Sequence, residues 1–131
     1  MNCQSQYLFV YGTLLNEQNE FGNYLEKNCE FIGNGKFQGI LFDVGDFPGA
    51  IENLEEELWV HGKVYELKNF EMVIPILDTY EGFGEGEEIP NLFIRKHINI
   101  ILPDKALICW AYLYNRPTNG FRKILSGIYK V

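Results

Sequence analysis

Apolar positions recur along this chain in two rhythms. Alternation, or short apolar runs rich in β-branched and aromatic residues, predicts strands near 6–11, 36–44, 58–66, 92–101 and 106–114. Turn-forming stretches such as Gly33-Asn34-Gly35 lie between them. Two other segments carry helical spacing: Phe21, Tyr24 and Leu25 within 17–28, and Phe70, Val73, Ile74, Leu77 and Tyr80 within 69–81. Each would lay one apolar face on the sheet. Pro75 has no N–H to give to a helix interior, so the pattern predicts regular helix from near Val73, with Pro75 in its first turn and Gly82 as the C′ residue that ends it. Periodicity alone therefore yields more strand than helix, in mixed order.

Composition narrows the class. The 131 residues suffice for one domain, 1–131, that buries roughly two thirds of its unfolded surface. Hydrophobic residues make up 47% and aromatics 15%, enough apolar surface to offset the entropy of folding. The formal charge of −7 comes with no basic cluster, which argues against nucleic acid as a partner. Neither a signal-peptide pattern nor an apolar run near the roughly 20 residues of a membrane span occurs, so no membrane partner is expected. Cys3, Cys29 and Cys109 are odd in number and far apart, a pattern that fits neither a disulfide framework nor a zinc knuckle and suits a reducing cytoplasm. The acidic patches Glu52 to Glu57 and Glu81 to Glu88 read as solvated loops.

Three short segments carry the candidate chemistry. In Tyr7-Leu8-Phe9-Val10-Tyr11-Gly12-Thr13-Leu14 a strand-forming run is broken by Gly and then by a hydroxyl residue, so a buried strand delivers a loop whose backbone N–H groups can face an anion. The other two are Phe47-Pro48-Gly49-Ala50-Ile51 and Leu77-Asp78-Thr79-Tyr80-Glu81-Gly82. Each alone reads first as an ordinary turn or helix end. In this order and at single-domain spacing, they resemble the γ-glutamylcyclotransferase superfamily, specifically its short AIG2-like and γ-glutamylamine cyclotransferase branch. That family shows a Tyr-Gly-(Ser/Thr)-Leu loop, a Pro-Gly-Ala segment and a Leu-Asp-x-x-Glu-Gly helix end. The resemblance runs from about Tyr7 to about Tyr114. It implies an α+β fold, a small closed mixed sheet or barrel flanked by a few helices. A pocket at one end would be lined by the first loop and the Glu-bearing helix terminus.

It also implies a reaction. A γ-glutamyl cyclotransferase releases 5-oxoproline and a free amine or amino acid from a γ-glutamyl amine, amino acid or isopeptide, the substrate's own α-amino group attacking its γ-carbonyl. The short chain favours the amine-type branch. One carboxylate can take the proton from the α-ammonium and return it to the leaving nitrogen, and positioning lowers the remaining barrier by about 7–11 kcal/mol. The match makes Glu81 that catalytic carboxylate. A residue at a helix C-terminus meets the negative end of the macrodipole and, where partly buried, gains basicity; the bland reading is a solvent-facing helix end. The match assigns Tyr11, Gly12, Thr13 and Leu14 to substrate binding through backbone N–H groups, although Tyr11 reads equally as a core aromatic whose hydroxyl finds a partner. Gly49 and Ala50 are small where the family packs a segment against the pocket, or simply form a tight turn.

The departures matter as well. The family often carries a Tyr two residues before an Arg after the catalytic helix, and here Phe93-Ile94-Arg95 lacks the hydroxyl. Trp110, Tyr112 and Tyr114 share one strand face by their spacing of two; core packing outweighs pocket lining for Tyr112 and Tyr114. His61 and His97 sit in alternating strands without a partner at metal spacing, and neither Cys29 nor Cys109 has a nucleophile signature, so no metal or other cofactor is expected. The alternatives to an enzyme of this type are a non-catalytic small-ligand-binding module on the same fold and a related acyl-removing lyase of secondary metabolism. The leaving amine and the oligomeric state are not encoded in any of these patterns.

Overall fold

The sheet is organised around one long strand, β2 (Cys29–Asp43), which pairs with four others. A computed structural model describes residues 6–11, 23–24, 27–45, 47–81, 83–84, 86 and 91–129. The remaining strands are β1 (Gln6–Val10), β3 (Pro48–Glu52), β4 (Trp59–Leu67), β5 (Phe93–Ile101), β6 (Ala106–Tyr114) and the two-residue β7 (Arg122–Lys123). Their order is β3-β2-β4-β1-β6-β5, and β5 returns to β2 at Lys36↔Ile101, closing β2, β4, β1, β6 and β5 into a small barrel. All pairings are antiparallel except β1 with β6, which run parallel at Leu8↔Trp110. The helix α1 (Phe70–Tyr80) follows β4.

The period of two along each strand divides the apolar residues between two cores. Inside the barrel lie Phe9, Tyr11, Phe37, Val60, Val64, Ile98, Ile100, Cys109, Ala111 and Leu113. The opposite face of the same strands presents Leu8, Val10, Tyr65, Leu67, Phe93, Tyr112 and Tyr114, and α1 covers it with Val73, Ile74 and Leu77. Trp110, Tyr112 and Tyr114 do share that second face, Tyr112 and Tyr114 buried and Trp110 partly so. No helix among the described residues is long and apolar enough to cross a membrane.

Three expectations need correction. First, 29–35 is strand: Gly33-Asn34-Gly35 continues β2 opposite Val64, Lys63 and Gly62, past an irregularity between Phe31 and Gly33. Gly35 serves close approach there, since a Cβ on it would stand 2.6 Å from Ile100 Cγ2 at the barrel's closing seam. Second, Pro48–Glu52 is β3, paired to β2 from Gly39↔Glu52 to Asp43↔Pro48; Pro48 is tolerated because it opens an edge strand. Third, α1 starts at Phe70 and not near Val73, with Pro75 in its interior. Burying Val73, Ile74 and Leu77 contributes about 1.5–3 kcal/mol each, which outweighs the roughly 3 kcal/mol cost of an interior Pro. Pro75 is also exposed, so the carbonyl it leaves unpaired is on the watered side of the helix. Of the predicted helix 17–28, residues 23–24 and 27–28 are helical and the rest lies outside the described residues.

Candidate active site

Glu81 is the C-cap of α1. Its N–H bonds the Leu77 carbonyl at 2.9 Å, and the Phe83 N–H reaches back to the Asp78 carbonyl at 2.9 Å. The second bond is the outer one of a Schellman turn, the termination a following Gly favours; Gly82 itself is outside the described residues. The loop beyond is tied down by Asn91, which accepts from the Gly84 N–H at 3.0 Å and donates to its carbonyl at 3.3 Å. The Glu81 carboxyl is thus held at the negative end of a helix and largely out of solvent. Burial pushes its pKa from 4.5 up to about 8.

Two phenols lie within its electrostatic reach. Tyr11, the first residue past β1, is held above the usual tyrosine range by burial first and by the Glu81 charge second. Tyr112 is raised by burial, by its bond to Asp78 and, more weakly, by Glu81. The Tyr11 hydroxyl donates to the Tyr112 carbonyl and accepts from the Ala50 N–H at 3.2 Å, so it ties the end of β1 to β6 and β3. Tyr11 is a core aromatic whose hydroxyl finds partners: its ring fills the barrel core, and its hydroxyl crosslinks β6 and β3.

Asp78, one turn before Glu81, carries the rest of the network. Its Oδ1 accepts from Arg95 Nε at 2.9 Å and from Tyr112 Oη at 2.6 Å, and its Oδ2 accepts from Arg95 Nη2 at 3.2 Å. Arg95 and Tyr112 are register partners across β5 and β6, which brings both under the helix. The guanidinium also lies 4.6 Å from the Trp110 ring centre and 5.7 Å from that of Phe83. Neither Asp78 nor Arg95 is among the site residues the sequence motifs nominate. Their signal is present all the same: Asp78 is the acid of the Leu-Asp-x-x-Glu-Gly match, and Arg95 lies two residues past Phe93.

The remaining candidates form an aromatic wall. Phe93 is buried between Phe47 and Tyr114, at ring-centre distances of 5.8 and 5.7 Å, and Tyr114 meets Phe121 at 6.1 Å. Gly49 lies against this wall; a Cβ there would come within 2.8 Å of Tyr114 Cγ. Gly12, Thr13 and Leu14 fall outside the described residues. The structure therefore brings Tyr11, Ala50, Glu81 and Tyr112 together, and places Gly49, Phe93 and Tyr114 beside one another in the packing. His61 and His97 are exposed strand residues, and the His97 ring lies 3.5 Å from that of Trp110, centre to centre. Cys29 and Cys109 are buried, the Cys109 thiol pushed up to about 12 by burial, as suits an inert core residue. A separate open cavity of about 410 Å³, lined by Lys36, His61, Ile101 and Leu102, lies at the far end of β5, away from Glu81, Tyr11 and Tyr112.

The small closed barrel with α1 laid across its outer face is a fold shared with AIG2-like proteins of known structure. The family profile described as "Gamma-glutamyl cyclotransferase, AIG2-like" matches residues 8–131, and the chain belongs to that family. The γ-glutamylcyclotransferase family protein YtfP of Escherichia coli (strain K12) is 28% identical over 121 residues, 92% of each chain. Its solution structure superposes with a TM-score of 0.68 over 95% of this chain and 96% of that one. YkqA of Bacillus subtilis is 32% identical over 124 residues, covering 94% of this chain but only 40% of YkqA. The crystal structure of YkqA gives a TM-score of 0.70 at 25% identity, again over 96% of this chain and 40% of that one. A mouse AIG2-like protein, 18% identical, shares the fold with a TM-score of 0.73 over 97% of this chain and 89% of that chain.

Proposed function

We propose that the chain is a γ-glutamyl cyclotransferase in which Glu81 is the general acid and base. The substrate is a small γ-glutamyl amine, amino acid or isopeptide. Glu81 takes a proton from its α-ammonium, and the freed amine attacks the γ-carbonyl carbon to close a five-membered lactam. The same carboxyl gives that proton to the leaving nitrogen as the C–N bond breaks, then takes the second proton from the new ring nitrogen and passes it to the departing amine, so 5-oxoproline and the amine, as its ammonium, leave and Glu81 is returned as a carboxylate. The reaction needs no group from outside the chain and its substrate. Binding through the backbone of Tyr11, Gly12, Thr13 and Leu14, taking the α-carboxylate, belongs to the same proposal.

One observation carries the reading: the carboxyl at the family's Glu position is buried until its pKa stands at about 8. The α-ammonium of a γ-glutamyl compound stands beside a free carboxylate, which holds its pKa above the roughly 7.7–8.0 of a peptide N-terminus, and a carboxyl raised to about 8 matches it far better than an ordinary glutamate, so less driving force is lost in the proton transfer. An ordinary exposed glutamate would be too weak a base by more than about three pH units. The test is a 5-oxoproline assay over a panel of γ-glutamyl compounds with wild type and Glu81→Gln. Turnover by wild type and a loss of at least about 100-fold in the variant are expected. Ligand binding without 5-oxoproline release would make the chain a binding module, and full activity of a folded Glu81→Gln protein would remove Glu81 from the chemistry.

A further inference from the structure

The turn that carries Glu81 is gripped from both sides by one residue of the sheet. Arg95 on β5 holds Asp78, three residues before Glu81, with two hydrogen bonds of 2.9 and 3.2 Å. The same guanidinium lies 5.7 Å from the ring centre of Phe83, two residues after Glu81. Asp78 and Phe83 are themselves joined by the 2.9 Å backbone bond that closes the turn. On its other contact the guanidinium rests 4.6 Å from the Trp110 ring centre, and Trp110 is fixed in turn by Phe70, at the start of the same helix, and by its indole N–H to Gln6 at 3.0 Å. Asp78 is further pinned by Tyr112 Oη, whose own carbonyl holds Tyr11.

We infer that Arg95 is a positioning residue for Glu81: its two-pronged grip on Asp78 and its contact with Phe83 clamp the helix end so that the Glu81 carboxyl stays in the site and out of water. The inference rests on Glu81 being the acid–base group proposed above. The arrangement is a neutral anchor, Asp78 matched to Arg95, placed one turn from a carboxyl that has no cationic partner of its own among the described residues. The two acids of the Leu-Asp-x-x-Glu-Gly segment thus do different work, one fixing the helix and one free to exchange a proton. A planar fork suits this task and an ammonium does not, because only the fork holds both carboxylate oxygens and lies flat on rings at once.

Charge and position make opposite forecasts, which allows a clean test. Among the described residues the titratable and charged groups next to the turn are Tyr11 at the end of β1, Asp78 on α1, Arg95 on β5 and Tyr112 on β6. Removing a cation from this set, with nothing else changed, would hold the Glu81 pKa or raise it. Unclamping the turn would let water reach the carboxyl and lower it.

The experiment is a carbon-13 NMR titration of the Glu81 carboxyl in wild type, Arg95→Lys and Arg95→Met, with the pH–rate profile of γ-glutamyl turnover measured alongside. The inference expects the Glu81 midpoint to fall by at least about one pH unit in Arg95→Met. It also expects a smaller fall in Arg95→Lys, a parallel shift of the pH–rate profile, and a loss in kcat with KM nearly unchanged. An unchanged or raised midpoint in folded Arg95→Met overturns the inference, as does a wild-type midpoint near 4.5. If Arg95→Met does not fold, Arg95→Lys decides by the same criterion. Should the midpoint move as expected while no γ-glutamyl compound is turned over even by wild type, the positioning role stands and the proposed reaction falls. Turnover that depends on Glu81 with a midpoint indifferent to Arg95 gives the reverse.

Discussion

Replacing Glu81 with Gln should stabilise this protein at alkaline pH, and the size follows from the site. Folding raises the Glu81 pKa from 4.5 to about 8 through burial. Between those values the unfolded chain has lost a proton that the folded chain keeps, so the folded state binds more protons and stability falls as pH rises. The contribution is fully present below about pH 4.5 and fully lost above about pH 8. At 1.36 kcal/mol per pH unit the interval corresponds to about 5 kcal/mol, and the partial exposure of the residue reduces this to about 2–4 kcal/mol. That is a large share of the roughly 5–15 kcal/mol that holds a domain together. The amide introduced by Glu81→Gln has no proton to lose in this range. Urea unfolding of both proteins should therefore give similar midpoints near pH 4.5 and, at about pH 8, a midpoint for Glu81→Gln higher by about 1–2 M at an ordinary denaturant slope. Every other titrating group is shared and cancels in the comparison. Curves for the two proteins that stay parallel from pH 4.5 to 8 would refute the argument, because the carboxyl would then titrate alike folded and unfolded. The gain in stability would accompany the loss of turnover, the exchange expected where a site holds a group in an unfavourable environment.

Two further substitutions test the supports of the site by denaturant unfolding. Tyr11→Phe keeps the ring in the barrel core but strands the buried Ala50 N–H and Tyr112 carbonyl that share its hydroxyl; each unmet group costs about 1–3 kcal/mol, so a loss of roughly 2–4 kcal/mol is expected, and a change below about 1 kcal/mol would show that water replaces the phenol. Gly49→Ala puts a Cβ within 2.8–2.9 Å of three Tyr114 atoms in a wall closed by Phe93 and Phe121, and should cost about 1–3 kcal/mol; a neutral result would mean the wall yields freely.

How much of this could be read without coordinates differs from residue to residue. The alternation near 58–66 and 106–114 and the spacing of Val73, Ile74 and Leu77 are local records of which side chains face a core, and they stand in the structure as strands, Trp59–Leu67 and Ala106–Tyr114, and a helix face. The helix end at Glu81 was legible for the same reason: a stop is written by the residues beside it. The Tyr-Gly-Thr-Leu, Pro-Gly-Ala and Leu-Asp-x-x-Glu-Gly segments were enough to place the chain in its family. Other features depend on partners far away in the chain. Residues 29–35 look like a Gly-rich turn until β4 lies alongside them, and Pro48–Glu52 becomes a strand only because β2 has a free edge to offer. Pro75 is tolerated inside α1 because the helix buries its other face on the sheet, an energy that no local pattern contains. Most of all, nothing in the order of residues states that the Tyr11 hydroxyl meets Tyr112, 101 positions on, or that Arg95 reaches Asp78 across 17. Sequence determined which residues could carry a proton. The raised pKa of Glu81 exists only where the folded barrel and helix exclude water around it, since desolvation is a property of everything that surrounds a group and not of the group itself.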